Sequence, residues 1–126
     1  MKAHQIAETA ASLVSGDRER THGNKTDNHQ RIAAVWNGIL LAAGKQPRHA
    51  LNAHDVANLM EGMKIARRYA GSFNVDDYVD GAGYAAVAGE IAAEQERIDL
   101  TWADATVKEA ALEGCPAGEM PKPFQP

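Results

Sequence analysis

The chain has 126 residues and a mass of 13.5 kDa, with 13 Lys+Arg against 17 Asp+Glu and a formal charge of −4. That is one domain's worth of material, and the acidic balance argues against direct nucleic-acid binding, which normally needs a basic face. No run of 18 apolar residues exists, the first 15 residues interleave Lys2, His4, Gln5 and Glu8 with apolar positions, and Cys115 is the lone cysteine. A membrane span, a signal peptide, an internal disulfide and a cysteine zinc cluster are therefore not expected. Apolar residues make up 44%, but 24 of them are alanine. So thin a core predicts burial against a second copy of the chain, as a homodimer or tetramer in the cytoplasm.

In chain order, the spacing predicts a first helix over about Lys2 to Val14, with Ile6, Ala10 and Leu13 on one stripe and a stop at Ser15-Gly16. Asp17 to Asn28 then gives twelve residues without an apolar side chain. This loop is a candidate for substrate contact through His22, Lys25 and Asn28; the alternative is a plain connector. A second helix is predicted from about Asp27 to Ala43, with Thr26 as N-cap and Gly44 as C-terminal signal. Its stripe is Ile32, Trp36, Ile39, Leu40 and Ala43, with His29 at the core edge.

The third helix spans about Ala53 to Ala70, capped by Asn52 with Asp55 three residues on and closed by Gly71. The fourth begins after Asn74, with Asp77 at its third position, and runs to about Arg97. Thr101 and Asp104 stand in capping-box spacing, which predicts a short fifth helix to Leu112. Strand signals are nearly absent. Gly114 to Pro126 holds four of the five prolines and reads as an irregular tail. The expected fold is all-α, a four-helix bundle with a short fifth helix, in one domain over residues 1–113 followed by a Pro/Gly-rich tail over 114–126.

At about 100° per residue, Tyr84, Val87, Ile91 and Ile98 share one face of the fourth helix, and Asp77 and Asp80 continue that face at its N-terminal end. The third helix has a stripe of Val56, Leu59, Met60, Met63 and Ala70, with Arg67 inside it and Lys64 beside it. The loop Gly71 to Asn74 is short, so the two helices should be antiparallel neighbours, with Arg67 facing Asp77 and Asp80. Two readings share this geometry. One is a partly buried salt-bridge cluster. The other is a site in which carboxylates hold a divalent cation and Lys64 and Arg67 bind phosphate oxygens.

The order Asn58-x-x-Glu61, then Asp77-x-x-Asp80 on the next helix, resembles the paired acidic motifs of MazG-like all-α nucleoside triphosphate pyrophosphohydrolases. Asp55-Val-Ala with Lys64-Ile-Ala-Arg67, Asp77-Tyr-Val-Asp80-Gly-Ala-Gly-Tyr84-Ala, and Thr21-His-Gly23 followed by Asn28-His-Gln-Arg-Ile-Ala and Trp36, are also similar to small phage proteins. The MazG-like resemblance implies Mg²⁺ or Mn²⁺ held by Asp77, Asp80 and Glu61, with Lys64 and Arg67 on the phosphates of a dNTP or NTP that is cut between the α and β phosphates. It also implies assembly into homo-oligomers. Asn58 and Asp77 depart from the pattern, each standing where it has a glutamate. Glu61 lies about 160° from its helix's apolar stripe and could join only a site shared with a second copy. Asp55, at the other end of the helix, is an alternative substrate contact besides its capping role. A degenerate acidic set leaves a second class of function open: a non-catalytic nucleotide or signal-molecule binder, or an interaction protein made during phage infection, in the host cytoplasm.

Overall fold

The computed structural model describes residues 1–16 and 24–112. They form four helices, α1 Ala3–Leu13, α2 Lys25–Ala43, α3 Ala53–Arg67 and α4 Val75–Leu112, with no strand among the described residues. The fold is all-α. No helix among them is long and apolar enough to cross a membrane. The loop residues 17–23, which include His22, and the tail 114–126 lie outside the described residues.

Local chemistry sets the helix ends. Asn52 and Asp55 form a reciprocal capping box at the start of α3, each side chain accepting the other's backbone N–H at 2.9 Å. Asn74 opens α4 by accepting the N–H of Asp76 at 3.0 Å. Gly44 (φ 68°) and Gly71 (φ 66°) take the left-handed conformation after α2 and after α3, which an L side chain adopts only with strain. α2 starts two residues earlier than its spacing predicts. Asn24 is the N-cap, accepting from Asp27 N at 3.2 Å, and Thr26 lies inside the helix. Lys25 and Asn28 are therefore helical, not loop residues.

The expected fifth helix is not separate. α4 runs unbroken for 38 residues, and the Thr101 hydroxyl donates to the Arg97 carbonyl at 2.9 Å instead of capping a new start. No proline or glycine falls between Glu90 and Glu113 to stop it.

The chain gathers into two units, Met1–Ala92 and Ala93–Pro126. In the first, α2 packs against α3. Its core is built of small side chains: Ala53 and Ala57 of α3 meet Val87, Ala88 and Ile91 of α4, with Val14 packed alongside. Val56 is fully buried. The wider stripes do not hold. Leu59 and Met63 on α3 and Ile39 on α2 are exposed; of the expected α3 stripe Val56 is buried, together with Ala53 and Ala57 beside it. In the second unit, Gln95 donates to Asp99 at 3.1 Å, and Ile98 is exposed.

Asn37 fixes the segment after α2. Its amide donates to Leu51 O and accepts from Leu51 N, both at 2.9 Å, so one side chain ties the middle of α2 to the entry of α3.

Candidate functional site

The C-terminal half of α3 lies beside the first turns of α4, as a short connecting loop requires. Arg67 Nε is 3.2 Å from Asp77 Oδ1, and Lys64 Nζ is 2.9 Å from Asp80 Oδ2. Asp77 is buried, whereas the Arg67 side chain is half exposed. A carboxylate at the third position of a helix faces its positive N-terminal end, which offsets part of the burial cost. Yet among the described residues Asp77 Oδ1 accepts no hydrogen bond: the Arg67 contact is ionic, and its N–H is not aimed at the oxygen.

Arg68 completes this end of the fold, and the helix stripes do not reveal it. Its Nε and Nη2 donate to the Asp77 carbonyl at 3.3 and 3.1 Å, and its guanidinium carbon lies 4.5 Å from the centroid of the Tyr78 ring. A Cβ on Gly81 would fall on Arg68 Nη2, so the glycine makes room for the guanidinium. A glycine on the buried face of α4, one turn after Asp77, was the available signal. A Cβ added to Gly83 would meet only the Val14 side chain, at van der Waals distance, and one added to Gly89 would meet open space, so close approach of two helix backbones is not the use of these glycines.

The other candidates are dispersed. Lys25 Nζ is 3.3 Å from Glu90 Oε2, and Asn28 Oδ1 accepts from Arg31 at 2.9 Å. Asp55 serves the capping box, nine residues and about 14 Å along the helix from Lys64. Glu61 is half-buried on α3, and Asn58 Nδ2 lies 3.3 Å from His54 Nε2. His29 Nδ1 lies 2.7 Å from the Lys25 carbonyl, which only accepts, so the ring is held by a local backbone contact within α2. Among the described residues, no group of three His, Cys, Asp or Glu side chains stands close enough to cage a metal ion. What a cation would find is two carboxylates one helical turn apart, Asp77 and Asp80, each ion-paired to a cation of α3, with Asp77 Oδ1 lacking a hydrogen-bond partner among the described residues. A pair fits Mg²⁺ bound together with substrate phosphates, and does not fit an all-protein site.

Residues 5–92 match the family described as a domain of unknown function, DUF6378. The chain belongs to that family. It is 35% identical over 82 residues to the Gene 55 protein of Mycobacterium phage L5, covering 65% of this chain and 49% of the relative. It is equally 35% identical, over 83 residues, to the Gene 55 protein of Mycobacterium phage D29, covering 66% of this chain and 50% of the relative. The chain thus spans about half the length of the curated relatives it matches. No solved structure matches it. The matched region of this DUF6378 member holds most of α1, all of α2 and α3 and the first half of α4, and with them every residue of the Lys64–Asp80 cluster.

Proposed function

We propose that the chain is a phage-type nucleotide pyrophosphohydrolase that acts on a dNTP or NTP at the α3–α4 end. The observation that carries the reading is the pairing of Asp77 and Asp80, one helical turn apart, with Arg67 and Lys64 on the neighbouring helix. The MazG-like acidic spacing supports the same reaction. Asp77 and Asp80 would hold Mg²⁺ or Mn²⁺, which when bound neutralises phosphate charge and lowers the pKa of a bound water. Lys64 and Arg67 exchange their carboxylates for phosphate oxygens, so that no buried charge loses its partner as substrate enters. Incubation with each dNTP and NTP plus Mg²⁺ or Mn²⁺ tests this. Pyrophosphate release that Asp80→Asn abolishes supports the reading, and absence of turnover with every nucleotide refutes it.

A second reading rests on the same cluster: both aspartates are already ion-paired within the chain. In that case the protein binds a nucleotide or signal molecule without cleaving it. Thermal stabilisation by an uncleaved nucleotide, independent of metal, favours this reading, because ligand stabilisation follows occupancy and not chemistry.

The partner we propose for the apolar faces is a second copy. Val35 and Ile39 on α2, with Leu59 and Met63 on α3, are 42–61% exposed and stand at i, i+4 spacing on two helices that pack together. Glu61 stands on the opposite side of α3 from Leu59 and Met63, so it joins a shared site only if a further copy covers that side as well.

A further inference from the structure

The segment joining α3 to α4 carries aromatic rings that the core does not use. Tyr69 and Phe73 are 89% and 79% exposed, and Tyr78 on the first turn of α4 is 38% exposed. Phe73 and Tyr78 form a tilted pair with centroids 5.8 Å apart and an interplanar angle of 35°. Tyr78 also carries the Arg68 guanidinium at 4.5 Å. Lys64 and Arg67 stand on the same last turn of α3. Each of those two has an aspartate partner, but Arg68 has no carboxylate among the described residues, since its N–H groups go to a backbone carbonyl. The junction of α3 and α4 therefore shows exposed aromatic rings close to three cations, two of them matched by acid.

That combination selects a ligand with a flat ring at one end and negative charge at the other. Purine and pyrimidine rings stack on aromatic side chains whatever their sequence identity, and polyphosphates pair with Arg and Lys. We propose that Phe73, with Tyr78 beside it, seats the base of a nucleotide whose phosphates lie toward Lys64 and Arg67. This rests on the nucleotide reading above and adds to it the place of the base.

Calorimetric titration of the full chain with α,β-methylene nucleoside triphosphates and with inorganic tripolyphosphate, with and without Mg²⁺, tests the assignment. Phe73→Ala should weaken the nucleotides about tenfold or more and leave tripolyphosphate unchanged, while Phe73→Trp, which keeps a ring, should retain nucleotide binding. Phe73 is exposed, so both variants should fold, and an unchanged melting curve verifies it. Unaltered nucleotide affinity in Phe73→Ala, or an equal loss for both ligands, overturns the base seat. Wild-type protein that binds tripolyphosphate as tightly as nucleotides also overturns it, and leaves a phosphate site. Wild-type protein that binds neither ligand removes the nucleotide reading itself. A change of molecular mass in Phe73→Ala would assign the ring to a second copy and overturn the seat as well.

Discussion

Arg68 occupies the space that a side chain on Gly81 would need. From there its guanidinium donates twice to the carbonyl of Asp77, the residue whose carboxylate is buried at the head of α4. The cation at the C-cap of α3 thus lies against α4 where that helix carries no side chain.

That relationship predicts a double-mutant cycle. Gly81→Ala should displace Arg68 and cost about 1–3 kcal/mol for the two lost hydrogen bonds, less about 1 kcal/mol returned by alanine's better helix propensity. In an Arg68→Ala background the same Gly81→Ala change should be neutral or stabilising. Urea denaturation of the four proteins measures it, and additive effects would show that the two residues do not compete for space.

Asn37→Ala should destabilise by about 1–3 kcal/mol, because Leu51 loses a donor and an acceptor together. Asn37→Asp keeps the acceptor but sets a carboxylate against the Leu51 carbonyl, so it should rescue little at neutral pH. Chemical denaturation resolves both, and a loss below about 0.5 kcal/mol in Asn37→Ala would mean that water replaces the amide without penalty.

The Lys64–Asp80 pair separates structure from metal binding. The Lys64 side chain is 11% exposed, so Asp80→Asn should lower metal-free stability by about 1–3 kcal/mol as the ammonium loses its charge partner. Mg²⁺ together with a nucleotide should raise the melting temperature of the wild type and not that of the variant. A wild type indifferent to Mg²⁺ and nucleotide together would reduce the cluster to an ion pair.

Assembly is measurable by light scattering coupled to size exclusion. The wild type should run at twice the 13.5 kDa chain mass, near 27 kDa, or at four times it. Ile39→Glu, which places a charge on the exposed α2 face, should shift the protein toward monomer. A monodisperse 13.5 kDa wild type at micromolar concentration would dismiss the second copy and the role of Glu61 with it.

Features written in short segments of chain are legible without the fold. The capping box Asn52-x-x-Asp55, the start at Asn74 and the left-handed glycines 44 and 71 depend on neighbours within four residues, so residue type is enough to place them. The facing of Arg67 and Asp77 is legible too, because a short loop forces its two helices to lie antiparallel. The tertiary structure alone decided which edge of each helix is buried. A stripe weighted by side-chain size favours Leu59 and Met63, but packing rewards fit, and Ala53 and Ala57 let Val87, Ala88 and Ile91 come close enough to exclude water. The Arg68–Asp77 carbonyl contact, the Lys25–Glu90 pair and the Asn37–Leu51 tie were settled at the same level. Each joins residues nine or more positions apart, through backbone groups or flexible side chains whose partners exist only once the helices have met.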